Sequence, residues 1–369
     1  MTMPQQLQGR LRLPIISAPM FLGSGVDLVV GACRAGVVGT FPALNLRTTE
    51  DFDAWLTQIE TALAEPDPSG RPPAPFGVNF IVHHTNKRIE ADLEQIVAHE
   101  VPLVITSLGA AKEVVDAVHS YGGLVLHDVT NAKHAAKAAA AGVDGIILVA
   151  AGAGGHAGGL NPFALISEVR AVWGGPLILS GALSTGRDVL AAQAAGADLA
   201  YMGTRFLATS ESLVSQEYRD MLVGHSAEQI VYTPSISSIP ASFLRGSIVS
   251  AGLDPDALPV PERVDLAHVT NPHTEESQAT TTAPKAWKDV WSAGQSVAGI
   301  DSVVPVAELV DQLEAEYTQA KGELLVPLLA RLQPVDHRPL VQPEAVVGAR
   351  PRHRRREQVP HEGDGPPPS

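Results

Sequence analysis

The chain has 369 residues, room for two average domains or for one α/β barrel with additions. A composition of 45% hydrophobic and 18% charged residues, with 33 glycines and 29 prolines, excludes a disordered chain and points to a globular α/β protein. A net charge of −14 excludes a general nucleic-acid binder, and the single cysteine, Cys33, excludes an internal disulfide and reads as a small core residue. No apolar run reaches membrane-spanning length, and the opening MTMPQQLQGRLRLP lacks the apolar stretch of an export signal. The expectation is therefore a cytoplasmic protein with no nucleic-acid or membrane partner. Its one strongly basic stretch, RPRHRRR, sits near the end and reads as a solvated run.

In chain order, LPIISAP (Leu13 to Pro19) is a first buried strand, followed by a helix over Asp27 to Ala35. GVVGTFP is a second strand, and TTEDFDAWLTQIETALAE a helix with a threonine start and an acidic first turn. After the proline-rich loop Pro66 to Pro75 come strand FGVNFIV, a helix over Arg88 to His99, strand PLVITS and a helix over Ala110 to Ser120. Strand GLVLHDV, helix NAKHAAKAAAAG, strand GIILVA, helix PFALISEVRAVW, strand PLILSG, helix TGRDVLAAQAAG, strand LAYMGT and a helix through Glu217 to Leu222 complete the series. Eight alternations with continuous apolar strands predict an α/β fold closed as a (β/α)8 TIM barrel. A doubly wound sheet fits less well, because strand 1 lacks a following G-x-G-x-x-G.

The barrel is expected over residues 1–227. Residues 228–331 read as a C-terminal helical extension or lid, loop-rich at first and ending in the amphipathic VAELVDQLEAEYTQAKGELL. From Leu332 onward proline, arginine and glycine dominate, and a disordered tail is expected over 332–369.

In α/β barrels chemistry sits at the carboxyl ends of the strands. Those ends present Met20, Asn79, Ser107, His127 with Asp128, His156, then Ser180-Gly181-Ala182 and Gly203-Thr204. The last two turns suit backbone N–H groups converging on a phosphate, the alternative being plain tight turns. Asp128 is expected to cap or brace its loop, and His127 either to line the pocket or to be structural. His83, His84 and the His127-Asp128 pair lack metal-ligand spacing, so no metal site is expected.

The stretch GIILVAAGAGGHAGGLNP is an apolar strand followed by five glycines around one titratable side chain, His156. On residue type alone exposure and catalysis are equally open for it. Its flanks offer no other group able to move a proton, which favours a base or hydrogen-bond donor.

At these residues the sequence resembles the nitronate monooxygenase family, formerly called 2-nitropropane dioxygenases. The matching pieces are PIISAPM, GVNFIV, DGIILVAAGAGGHAGGLNPFALISEVR, PLILSGALSTG, GADLAYMGTRFLAT and WSAGQSVAGI, from about Leu13 to about Ala320. The resemblance implies non-covalent FMN, its phosphate at Gly181-Ala182 and Gly203-Thr204 beside Ser180. It places the ring near Ala18, Pro19, Met20, Asn79, His127 and the Gly154-Gly155 turn. It makes His156 the catalytic histidine, and the partners a nitronate or nitroalkane and O2, with a homo-oligomer allowed. The implied reaction converts an alkyl nitronate to a carbonyl compound and nitrite. The rivals are a flavin-dependent NAD(P)H enoyl reductase, whose usual acidic residue is replaced here by Ala153, and a non-catalytic barrel holding FMN or a phosphate. SSIPASFL stands where a glycine-bearing turn is more usual, so the substrate mouth is expected to differ.

Overall fold

The apolar runs become short parallel strands because each is covered on both faces, by the barrel interior and by the helical layer. A computed structural model describes residues 3–65, 70–109, 112–261 and 284–331. The barrel strands are β1 (Ile15–Ser17), β2 (Val38–Pro42), β3 (Phe76–Ile81), β4 (Leu103–Ser107), β5 (Leu124–Val129) and β6 (Gly145–Val149). After β7 (Gly155–His156), which leaves the barrel, come β8 (Leu177–Ser180) and β9 (Leu199–Met202). The barrel closes where β9 pairs in parallel with β1, Ile16 opposite Tyr201.

Helices return the chain between strands: α1 (Val26–Ala35), α2 (Thr49–Ala64), α3 (Ile89–Ala98), α4 (Lys112–His119), α5 (Ala132–Ala141), α6 (Pro162–Arg170) and α7 (Gly186–Ala195). The sequence explains their ends. Thr48, Asn131 and Thr185 accept the N–H groups of Asp51, His134 and Asp188, satisfying donors that the first turn leaves open. Helices α1 and α5 stop on Gly36 and Gly142, whose φ of 91° and 89° lies in the left-handed region that other residues avoid.

Alternation along the strands separates two cores. Ile16, Ile105, Leu126, Ile147, Ile178 and Leu199 fill the barrel interior. Phe41, Val78, Phe80, Val104, Val125 and Leu148 pack outward with helix residues such as Leu28, Phe52 and Ala138, and Cys33 is buried among them. This two-residue period decides which side chain at each strand end faces the barrel mouth.

Beyond β9 the chain forms α8 (Thr204–Leu207), α9 (Gln216–Leu222), β10 (Ile230–Thr233), β11 (Ala241–Leu244), α10 (Arg245–Ser250) and the long α11 (Val306–Arg331). The sequence reads the residues after β6 as a loop, and 228–300 as loop with helical signals. The structure pairs them instead, in an antiparallel sheet of order β10-β11-β7. The strands are too short for local periodicity to show them, and β7 pairs with a strand far along the chain. The first compact unit ends at Val326, and the second begins at Pro327. The tail expected over 332–369 and residues 66–69 of the proline-rich loop lie outside the described residues.

On the outer layer, the C-cap residue of α3, His99, lies between two carboxylates of α2: Nε2 is 2.8 Å from Asp53 and Nδ1 3.0 Å from Glu60. Burial pushes the imidazole down, but the two carboxylates outweigh it and leave its pKa raised. A raised histidine adds stability that is full below its unfolded value of about 6.5 and is lost as pH rises through the folded value. Because both carboxylates are partly exposed, the expected contribution is below about 1 kcal/mol. Chemical denaturation of wild type and His99→Gln should show a gap that shrinks from pH 6 to pH 9; a gap independent of pH would show that the carboxylates do nothing.

Candidate active site

One cavity of about 990 Å³ opens at the carboxyl ends of the strands. That is at the upper end of the usual range for small-ligand sites, enough for a cofactor together with a small substrate. Ala18, Pro19, Met20, Asn79, His127, Gly154, Gly155, His156, Ser180, Gly203 and Thr204 line it, so the structure brings together all but two of the residues expected from sequence. The two outside the lining are Gly181 and Ala182. They form a left-handed turn, φ 131° and 55°, whose Ala182 N–H donates to the Gly152 carbonyl at 3.2 Å. That N–H is therefore paired within the protein.

His156 is not a loose loop residue. As part of β7 it pairs with Ala241 of β11, and Gly155 pairs with Ser242. The Gly155 N–H donates to Ser292 Oγ at 2.7 Å, and Ser292 Oγ–H donates to the Ser242 carbonyl at 2.8 Å. On the other flank the Tyr232 hydroxyl donates to the Ala157 carbonyl at 2.8 Å. The imidazole meets Trp287 edge to face, ring centroids 5.0 Å apart, which restricts its rotation. Backbone pairing and an aromatic wall thus fix a titratable ring on the cavity surface.

The segment that holds this arrangement in place is WSAGQ, Trp291 to Gln295. Gly294 lies so close to the glycine loop that a Cβ there would fall 2.5 Å from the Gly152 carbonyl oxygen and 2.7 Å from the Gly154 nitrogen. A Cβ on Gly154 would in turn sit 2.9 Å from the Gly294 nitrogen. Two backbones in direct contact require glycine on both sides. The Gly294 N–H donates to Thr204 Oγ1 at 2.9 Å, and the Gln295 N–H to the Gly152 carbonyl at 2.9 Å. The loops after β6 and β9 are thereby tied through one late segment.

At β5 both polar neighbours line the cavity, His127 in one of the two roles expected of it and Asp128 in a different one. Leu124 and Leu126 point into the barrel, and Asp128, on the same face, follows them to its mouth. It does not brace its own loop. The carboxylate Oδ2 accepts the Ser107 hydroxyl at 2.7 Å, and Ser107 Oγ accepts from Asn79 Nδ2 at 2.7 Å. Burial pushes the Asp128 carboxyl up to about 6, against the lowering effect of Ser107. His127 shares the helix-facing side with Val125 and Val129, and reaches the cavity from there. Its Nδ1 lies 2.8 Å from Thr106 Oγ1, and burial pushes it down to about 4, so it is a neutral ring at neutral pH.

The sequence did not point to Tyr218, Tyr232, Pro240, Trp287 or Ser292 as wall residues. Pro240 and β11 belong to SSIPASFL, the departure from the family pattern, which here supplies the strand beside His156. Ser292 lies in the quoted WSAGQSVAGI, but its partner is set by tertiary contact. Backbone strain is a further mark. Leu108 and Trp287, both on the wall, hold φ of 60° and 63°, a conformation that costs a bulky residue and is kept where surroundings impose it. Among the described residues no group of three or more metal-ligating side chains comes together, and no helix is long and apolar enough to cross a membrane.

The comparisons with known proteins agree with this geometry. A Paraburkholderia phytofirmans protein named nitronate monooxygenase is 33% identical over 226 residues, covering 58% of this chain and 59% of that protein. A Rhodococcus jostii protein named as a 5-hydroxy-7a-methyl-1-oxo-octahydro-1H-indene-4-carboxyl-CoA dehydrogenase is 26% identical, covering 64% of each chain. These matches span less than two thirds of either relative's length. The solved nitroalkane oxidase of Streptomyces ansochromogenes shares the fold with a TM-score of 0.69 and 24% identity, over 87% of this chain and all of that one. The nitronate monooxygenase family pattern matches residues 54–316, most of the barrel and the late WSAGQ segment, and the chain belongs to the nitronate monooxygenase family.

Proposed function

We propose that this protein is a flavin-dependent oxidoreductase of the cytoplasm that binds FMN non-covalently and oxidises small nitronates with O2, giving a carbonyl compound and nitrite. The observation that carries this reading is His156, fixed by the β7–β11 pairing on the wall of a cavity large enough for cofactor and substrate together. The residues present fit a flavin. Gly154 and Gly155 offer bare backbone against which a flat ring can lie, with Met20 and Ala18 as apolar walls. Gly203 and Thr204 remain on the wall for the phosphate end, although Ala182 does not contribute. Pro240, Trp287 and Ser292, which follow the barrel in the chain, act as part of the cover by supplying its wall.

A bound flavin supplies an acceptor for electrons from the substrate carbon and a route for them to O2. The chain's own residues bind and orient. His156 faces the ligand as a proton acceptor or as a donor to the two oxygens of a nitro group, where preorganised donors act most strongly. Trp287 and Tyr218 close the wall and exclude water.

A second reading follows from the Rhodococcus relative's name, a carboxyl-CoA dehydrogenase: oxidation of an acyl-CoA thioester, which also needs an electron acceptor and a fixed polar group. Purified protein given FMN and ethylnitronate in air should release nitrite in proportion to O2 consumed. Turnover only with an acyl-CoA thioester would favour the second reading. Consumption of NADH with an enoyl thioester would instead make the protein a reductase.

A further inference from the structure

We propose that the cavity has a hydrocarbon subsite on its β1–β4 side, with Leu108 at the outer end, so that the substrate carries a linear alkyl chain of several carbons beyond its reacting carbon. The inference rests on the reading that a nitronate is oxidised beside His156, and it says which members of that class the site selects.

The subsite comes from consecutive strands. Phe21 follows β1, Pro42 ends β2 and Leu44 follows it, Ile81 ends β3, and Leu108 follows β4; all five line the cavity. These strands are neighbours in the barrel, so their ends form one continuous arc. Among the described residues, the lining that this arc supplies has only Asn79 and Ser107 as polar side chains. The charged and imidazole side chains of the lining lie instead on β5, α5 and β7. Trp287 joins the arc to the histidine. Its ring meets Phe21 edge to face, centroids 6.1 Å apart, and His156 at 5.0 Å. A chain attached to a carbon held at His156 thus meets apolar surface at once.

Leu108 is the observation that points to a ligand. It is 41% exposed, it lines the cavity, and its backbone is left-handed, φ 60°. A leucine there carries two costs, backbone strain and apolar surface in water, and an asparagine would carry less of both. The neighbouring backbone holds the turn in place. A Cβ on Gly109 would fall 2.7 Å from the Val82 carbonyl oxygen, and the Val82 N–H donates to the Ser107 carbonyl at 3.0 Å. The loop therefore presents an apolar side chain at the cavity mouth, where a hydrocarbon chain would cover it.

A chain-length series tests this. With FMN-loaded protein in air, kcat/KM should rise about threefold for each methylene from ethylnitronate through butylnitronate to hexylnitronate. Leu108→Asn should cut the hexyl-to-ethyl ratio by on the order of fivefold without lowering the unfolding temperature, because asparagine takes the left-handed conformation more readily. Leu108→Met, which keeps an apolar side chain, should hold the ratio near that of wild type. A flat series in wild type, or a ratio unchanged by Leu108→Asn, would overturn the subsite. Leu108→Gly repeats the test should Leu108→Asn not take up FMN, and loss of FMN from both would assign the arc to the cofactor and overturn the subsite. If wild type turns over no nitronate, calorimetry with sodium acetate and sodium hexanoate, whose carboxylates share the planar shape of a nitronate, keeps the two claims apart. Tighter binding of hexanoate, weakened by Leu108→Asn, would sink the monooxygenase reading and leave the subsite standing. No preference for hexanoate would overturn the subsite too.

Discussion

His156→Ala should lower turnover of both nitroalkane and nitronate by about 10²–10³-fold while the protein keeps its flavin. The two halves of that expectation have separate causes. Flavin retention follows because β7 is held through its backbone, by Ala241 opposite position 156 and by Ser292 Oγ at the Gly155 N–H, and neither contact uses the imidazole. The loss on both substrates follows from the proposed role of the ring as a donor to substrate oxygens, which the neutral and the anionic form alike present. His156→Asn, which can still donate a hydrogen bond, should recover part of the loss. Steady-state rates with each substrate, with flavin absorbance as the occupancy check, decide the matter. A defect confined to the neutral substrate would give His156 a proton-transfer role in place of the orienting one.

Gly294→Val should do more damage to the protein itself. Its first side-chain carbon would fall 2.5 Å from one backbone atom of the glycine loop and 2.7 Å from another, and neither can rotate away as a flexible side chain would. The loop carrying Gly154 and Gly155 has to move, or the late segment lifts off, which breaks the bonds to Thr204 and to the Gly152 carbonyl. Overpacking of this kind costs about 1–3 kcal/mol, and here the strain falls on the surface proposed for the flavin ring. Lower flavin content and a lower unfolding temperature are expected together. Gly174→Ala, where a side chain meets nothing within 4 Å, is the matched control and should change neither. Full flavin occupancy in Gly294→Val would show that the loop contact does not shape the site.

These expectations rest on parts of the molecule that were unequally visible in the sequence. The barrel was legible because its strands are continuous apolar runs, and because Asn131, Thr185, Gly36 and Gly142 mark helix ends by their own chemistry. Period-two alternation also carries more than strand identity. Leu124, Leu126 and Asp128 share one face, so the inward aim of Asp128 could have been read from the same pattern that identified the strand. The pairing of His156 with Ala241 was not legible. Two residues make no periodic signal, and their partner lies far along the chain, in a segment whose helical signals competed with its strand content. The turn at Ala182 was not legible for another reason. An alanine with φ of 55° is held by its surroundings, and nothing in its residue type announces that its N–H is committed to Gly152.

The family pattern and the cavity meet at one chemical claim, that electrons pass from a small anionic carbon acid to a flavin held in this barrel mouth. Anaerobic mixing of the FMN-loaded protein with ethylnitronate, followed by absorbance, tests it directly. The account predicts bleaching of the flavin band with no nicotinamide present, and nitrite with return of the band once air is admitted. A band unchanged by nitronate but bleached by NADH alone would contradict it.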